Sequence, residues 1–161
     1  MLSFGKYYDY GQRFLERDGE LGEVWISGYA FAHNIEALKK HDIGAVCSGV
    51  DLHFEYPKEI AHLKFDLNDC SSQDARQTFF PAFKFIDNER RRTNVLVHCA
   101  AGISRCSVLS ISYMMRKYGW CFDECLKRLQ AARPCCCPNT GFTKQLKELE
   151  QQLSQGQNKP L

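Results

Sequence analysis

The segment Asn94-Val95-Leu96-Val97-His98 is a nearly continuous apolar run with no alternation of apolar and polar positions. That pattern belongs to a strand buried on both faces, so it has to lie inside a sheet that carries helices above and below. The chain has room for one such sheet, because 161 residues at 44% hydrophobic make one ordinary core and are too apolar for a disordered polymer.

The remaining segments supply the layers. Val24 to Ser27, Ile43 to Cys47 and Ala61 to Leu67 read as further strands, and Ile35 to about His41 as a small helix. From Ala75 to Arg92 the spacing of Phe79, Phe80, Phe83 and Ile86 defines one helical face. Its last turn carries Arg90, Arg91 and Arg92, expected there as cations at the negative helix end, with a substrate-binding patch as the alternative. A helix from Arg105 to Tyr118 stops at Gly119, another carries Phe122, Cys125, Leu126 and Leu129 before Pro134, and a last one follows Pro138-Asn139 with Phe142, Leu146, Leu149 and Leu153. Alternating strands and helices predict a single α/β domain over residues 1–155, with a mostly parallel central sheet flanked by helices and a disordered tail at 156–161.

Composition excludes several classes. The net charge of +2 argues against nucleic-acid binding by bulk charge. No apolar run is long enough for a bilayer, the first nine residues do not have the order of a secretion signal, and neither a myristoylation glycine nor a prenylation cysteine is in place. A cytoplasmic location without a stable membrane anchor is expected, with the nucleus as a second compartment. Nine cysteines, an odd number, then read as reduced thiols rather than a disulfide framework. Cys135-Cys136-Cys137 is not read as a metal site, since adjacent residues cannot easily aim three sulfurs at one tetrahedral ion and no Cys-x-x-Cys pair occurs.

The buried strand ends in His98-Cys99, and Ala100-Ala101-Gly102-Ile103-Ser104 connects it to the helix that starts at Arg105. Ligands of open α/β sheets bind at the carboxyl ends of strands. A short link around Gly102 can turn successive N–H groups inward, making an anion nest beside the positive helix end. Arg105 completes it with a planar fork that holds two phosphate oxygens. A cysteine on the floor of that nest is a thiolate near neutral pH, so Cys99 is the candidate nucleophile. His98 is expected to orient the loop by hydrogen bonding rather than to transfer protons.

His98-Cys99, five residues and Arg105 resemble the signature of the cysteine-dependent protein phosphatases, and Ala101-Gly102-Ile103-Ser104-Arg105 resembles their dual-specificity branch in particular. Phe79-Phe80-Pro81, Phe85-Ile86-Asp87, Arg133-Pro134 and Pro138-Asn139-Thr140-Gly141-Phe142 are similar to further segments of that branch, so the likeness runs from about Glu23 to Leu149. The resemblance implies hydrolysis of phosphotyrosine and phosphoserine or phosphothreonine in proteins through a phosphocysteine on Cys99. Loop residues 100 to 105 would hold the phosphate and Asn139 would support the loop. No cofactor is needed, because N–H groups, Arg105 and the helix end supply the positive field.

The family draws its general acid and base from an Asp about thirty residues before the nucleophile. Asp69, in the polar Asn68 to Ser72 loop, fits this position better than Asp66 at the strand end, although Asp69 could instead cap the next helix and Asp66 anchor its turn. After the arginine the family usually has Ser or Thr, whose hydroxyl helps the thiolate leave. This chain has Cys106, a weaker donor, which predicts a slow second step. The resemblance also suggests Cys47 as a reversible disulfide partner of Cys99, with Cys106 and Cys70 as competitors. The expected partner is a phosphorylated protein. A phosphate on a non-protein molecule and a catalytically weak phosphoprotein-binding module are the alternatives, and nothing in the sequence bears on oligomeric state. Ala100, Ala101 and Ile103 leave the loop without the lysines common in inositol-lipid phosphatases.

Overall fold

A computed structural model of the protein describes residues 10–156. The expectations for the first nine residues and for 157–161 lie outside the described residues. Five strands form one sheet: β1 (Gln12–Leu15), β2 (Val24–Ser27), β3 (Ile43–Ser48), β4 (Ala61–Lys64) and β5 (Asn94–His98). Their spatial order is β1-β2-β5-β3-β4. The pairs β2–β5, β5–β3 and β3–β4 are parallel and β1 is antiparallel to β2. The helices are α1 (Tyr29–Ala32), α2 (Ile35–Lys40), α3 (Arg76–Glu89), α4 (Arg105–Tyr118), α5 (Phe122–Ala132) and α6 (Thr140–Ser154).

The apolar run 94–98 is the middle strand, and every one of its residues is buried. Alternation along it divides two cores. Val95 and Val97 pack with the cluster that holds most of α3 to α6, whereas Leu96 packs with Phe31, Leu38 and Val46 under α1 and α2. Each fully buried side chain of this size contributes roughly 1.5 to 3 kcal/mol. Helix α4 has every residue from Cys106 to Met115 buried, so it is the central helix of its layer. It ends where Gly119 takes a φ of 69°, the left-handed turn expected at a helix end.

Several elements differ from expectation. β1 and the one-turn α1 were unexpected, because four residues carry too little periodicity to read. β4 stops at Lys64 rather than Leu67, yet the chain stays tied to the sheet as Phe65 and Leu67 N–H groups donate to Ser48 O at 2.8 Å and Gly49 O at 3.3 Å. The long helix ends at Glu89, three residues before the expected Arg92, and Arg90 belongs neither to a helix-end charge cluster nor to a substrate patch. It is fully buried: Nε donates to Gly22 O at 2.6 Å, Nη1 to the hydroxyls of Tyr113 and Tyr118 at 2.9 Å, and Nη2 to Glu16 O at 3.3 Å. One guanidinium thus fastens the β1–β2 connection to α4. Arg91 and Arg92 stay exposed beside Asp87 and Glu89.

A buried fork with these partners cannot be removed without orphaning them. Arg90→Met is expected to lower the unfolding free energy by about 3 kcal/mol, whereas Arg91→Ala and Arg92→Ala stay within about 0.5 kcal/mol of the parent. Urea denaturation of the three variants checks the contrast.

Candidate active site

The end of β5 enters a tight loop whose carbonyls are nearly all claimed from outside. Gly49 N–H donates to His98 O at 2.8 Å, His98 Nδ1 lies 3.1 Å from Cys99 O, and Tyr29 N–H donates to Ala100 O at 2.9 Å. Arg133 donates from Nη2 to Ala101 O at 3.2 Å and from Nε to Gly102 O at 2.8 Å, while Cys137 N–H donates to Ile103 O at 2.9 Å. With the carbonyls of 98 to 103 turned outward, the peptide planes turn N–H groups of the loop inward. Gly102 makes the bend at φ 70°, and a Cβ there would stand 2.6 Å from Arg133 Nη2 and Gly28 N. The inward ring opens beside the first turn of α4, where residues 105 to 108 begin the helix.

Cys99 is 1% exposed at the floor of this ring. Its Sγ is 3.3 Å from Cys106 Sγ. The hydrogen bond from Cys106, with backbone N–H groups of Cys106, Ile103 and Gly102, outweighs burial and pulls the Cys99 thiol down to about 6. Burial and the adjacent Cys99 push the Cys106 thiol the other way, well above its ordinary value. With Cys99 ionised, Cys106 S–H is therefore the donor. Ser107 does not substitute for it, because its hydroxyl donates to Ile103 O.

His98 sits on the other face of the sheet from Cys99. Nδ1–H can only donate to Cys99 O, so Nε2 accepts from Ser48 Oγ at 2.6 Å, and Ser48 Oγ accepts in turn from His62 Nε2 at 2.8 Å. Burial pushes His98 down to about 4. A ring neutral at pH 7 with both nitrogens committed is a fixed strut for the loop.

Arg105 is half-buried at the rim. Nη1 donates to Leu67 O at 3.2 Å, and Nε is buried with no hydrogen-bond partner. An unpaired buried donor costs about 1 to 3 kcal/mol, which an anion's oxygen at the ring would recover. Asp69, in the loop after β4, is exposed, with Oδ1 accepting from Asn139 Nδ2 at 3.0 Å. Asn139 also donates from its backbone N–H to Ser104 Oγ at 3.0 Å and accepts from Phe142 N–H at 2.9 Å as the cap of α6. One residue therefore joins the acidic loop and the last helix through its side chain and the nest through its backbone N–H. Gln145 bridges the same loop, accepting from Ala75 N–H and donating to Gln73 O, both at 2.8 Å. Asp66, also exposed, lies just past the end of β4 and takes part in none of these contacts.

Cys47 is fully buried on β3, opposite Val97 in the ladder, with its thiol pushed up to about 12 by burial. Cys70 is exposed 3.4 Å from Ser72 Oγ. Two of the consecutive cysteines meet at one carbonyl, the Cys135 and Cys136 sulfurs lying 3.8 and 3.9 Å from Gly102 O, whereas that of Cys137 lies 3.7 Å from Pro138 O. Reading the sequence did not assign loop-holding roles to Arg133, Ser48, Tyr29 and Gln145. An arginine placed directly before Pro134, after an apolar helical stripe, was the one available signal for Arg133.

Comparison with known proteins agrees with this geometry. The sequence profile of the dual specificity phosphatase catalytic domain matches residues 24–152. A dual specificity protein phosphatase 1B of Arabidopsis thaliana is 30% identical over 148 residues, covering 88% of this chain and 89% of the relative. Human dual specificity protein phosphatase 22 is 33% identical over 130 residues, covering 79% and 70%. Two probable dual specificity phosphatases of Dictyostelium discoideum are 37% and 34% identical over 80% and 84% of this chain, which spans only 33% and 63% of their lengths. Among solved structures, a human tyrosine phosphatase-like serine/threonine/tyrosine-interacting protein is similar at a TM-score of 0.78 with 27% identity, covering 89% and 97% of the two chains.

Two measurements probe the site. The rate of Cys99 alkylation is expected to rise with pH around a midpoint of about 6 and level off above it, since only the thiolate reacts. Cys106→Ala moves that midpoint upward by deleting the leading hydrogen bond, and an unmoved midpoint would show that the backbone N–H groups suffice. At Gly141 an added Cβ would lie 2.0 Å from Ser71 O, so Gly141→Ala is expected to displace the Asp69 loop. Hydrogen exchange should rise at residues 69–73 while β5 stays protected.

Proposed function

The chain belongs to the dual specificity phosphatase family, and from that premise we propose that it hydrolyses phosphotyrosine and phosphoserine or phosphothreonine in proteins, with Cys99 as nucleophile and Asp69 as general acid and base. The observation that carries the reading is the unpartnered, buried Nε of Arg105 beside an inward N–H ring that has a lowered thiol at its floor. Three features of one phosphate are thereby matched: its oxygens by N–H groups and the fork, its charge by the helix end, its phosphorus by a thiolate.

In the first step Cys99 Sγ attacks phosphorus, the bond to the ester oxygen breaks, and Asp69 gives that oxygen its proton. The N–H groups of 100 to 105 and the Arg105 fork hold the equatorial oxygens where charge accumulates. Asn139, bonded both to Asp69 and to the hydroxyl of Ser104, keeps acid and nest in one frame. In the second step Asp69 takes a proton from water as it attacks the phosphocysteine, and the Cys99 thiolate departs with Cys106 S–H as its side-chain donor. A thiol donates more weakly than a hydroxyl, so the second step is the slow one. The loop side chains Ala100, Ala101 and Ile103 bring no cation, which favours a protein-borne phosphate over an inositol lipid.

Hydrolysis of a small aryl phosphate by the reduced protein, with and without vanadate, tests the mechanism. Turnover should vanish in Cys99→Ser and fall about 100- to 10,000-fold in Asp69→Ala, whereas Asp66→Ala should leave it nearly intact. A loss with Asp66→Ala and not with Asp69→Ala would reassign the acid. Cys106→Ser is expected to raise turnover and to lower the phosphocysteine trapped by acid quench. Phosphopeptide binding by wild type without turnover or trapped intermediate would replace the enzyme by a phosphoprotein-binding module.

A further inference from the structure

Single apolar side chains are scattered over any protein surface, but large ones gathered at the rim of a binding site mark contact with a partner. Among the described residues the exposed large apolar side chains are Tyr10 at 64%, Tyr29 at 53% and Leu52 at 39%. Tyr29 opens α1 just after β2, and Leu52 lies in the loop that leaves β3. β2 and β3 are the two neighbours of β5. Both residues therefore stand at the carboxyl edge of the sheet, where the phosphate loop lies and where ligands of such sheets bind.

Packed rings join the two. Tyr29 N–H donates to Ala100 O at 2.9 Å, and a Cβ on Gly28 would stand 2.9 Å from the same oxygen, so the start of α1 lies against the phosphate loop itself. One turn on, the His33 ring is 6.0 Å from that of Tyr29 and stacks on Phe54 at 4.0 Å and 5°. His33, Phe54 and Leu52 line one depression that reaches the His98 ring, 5.9 Å from His33. The loop carrying Leu52 is held in place: Asp51 Oδ1 accepts from His53 N–H at 2.9 Å, Asp51 Oδ2 pairs with Lys64 Nζ at 3.0 Å, and His53 takes a φ of 54°. Leu52 is thus kept from turning back onto the core. Burial holds His33 below its ordinary pKa, so the ring is uncharged at pH 7.

We propose that Tyr29, His33, Phe54 and Leu52 form a substrate subsite that takes a large apolar side chain, aliphatic or aromatic, close in sequence to the phosphoresidue of the protein substrate. The inference deepens the reading of the chain as a protein phosphatase and rests on it. The subsite begins at Ala100, so a peptide whose phosphate fills the N–H ring needs only a few residues, at about 3.3 Å each when extended, to lay a side chain across it. A leucine or phenylalanine there covers Leu52 and the rings and takes apolar surface out of water on both partners. A charged side chain would give up water and gain no partner, because Asp51 and Lys64 already hold each other. The subsite therefore selects by sequence around the phosphate, which the N–H ring alone does not do.

Short phosphotyrosine peptides in a Gly/Ser background test it. Each carries a single Leu, Phe, Asp or Lys at one of the three positions on either side of the phosphotyrosine, and kcat/KM is measured with the full chain, beside a small aryl phosphate. At one position or more, Leu and Phe are expected to exceed Asp and Lys by about tenfold. Leu52→Ser should abolish that preference while aryl phosphate turnover stays at the wild-type rate. Leu52→Lys should turn it into a preference for Asp at the same position, a gain that loss of folding cannot produce. Equal rates for all wild-type peptides overturn the proposal, as does a preference for Lys or Asp in wild type. An apolar preference that both Leu52 variants retain overturns it too. These outcomes leave the phosphatase reading intact, whereas absence of aryl phosphate turnover in wild type would remove that reading and the subsite with it.

Discussion

The outward pull on the carbonyls of residues 98 to 103 is the constraint on which the site depends. A peptide plane shows its N–H and C=O to opposite sides, so a loop can present a ring of N–H groups only if each carbonyl finds a donor elsewhere. Here the His98 ring serves the Cys99 carbonyl, and the other donors come from four parts of the chain: Gly49 after β3, Tyr29 at α1, Arg133 after α5 and Cys137 before α6. The loop is only seven residues from Cys99 to Arg105, yet its conformation is decided by the whole domain. Arg133 carries the largest share, since one fork holds two consecutive carbonyls at the bend. Burying that cation is costly in isolation. The Ala101 and Gly102 carbonyls, together with the Tyr10 carbonyl and Gln12 side chain on its other nitrogen, surround it with acceptors.

The same logic extends from the nest to the acidic loop. Asp69 is exposed and would be free to wander on an untethered segment, but Asn139 and Gln145 fix that segment to the start of α6. Because Asn139 also meets Ser104, any shift of α6 moves acid and nest together rather than apart. Close approach of Gly141 to Ser71 requires the residue without a Cβ there. The glycine is therefore part of how the proposed acid Asp69 and nucleophile Cys99 keep their spacing.

Legibility from the sequence followed periodicity and local chemistry. The apolar run 94–98 gave the central strand, and the spacing in α3 to α6 gave four helices, because patterns of that length are dominated by burial. β1 and α1 have four residues each, too few for either period to declare itself. Cys99, Arg105 and the loop between them could be read because the chemistry of an anion nest is local in sequence. The partners of that nest could not: Ser48 is fifty residues from His98, and Arg133 is 31 residues from Gly102. Arg90 misled for the same reason, since its position at a helix end is visible in the sequence and its burial between Gly22 and two tyrosines is not.

Cys106 gathers several demands into one side chain. Its S–H lowers the Cys99 thiol and so makes the nucleophile available at neutral pH. In the proposed mechanism, once phosphorus occupies Cys99 the same donor has to help the sulfur leave, and a weak donor does that poorly. A hydroxyl at this position would serve both needs better. Its own elevated pKa keeps it protonated, a donor rather than a second anion beside Cys99.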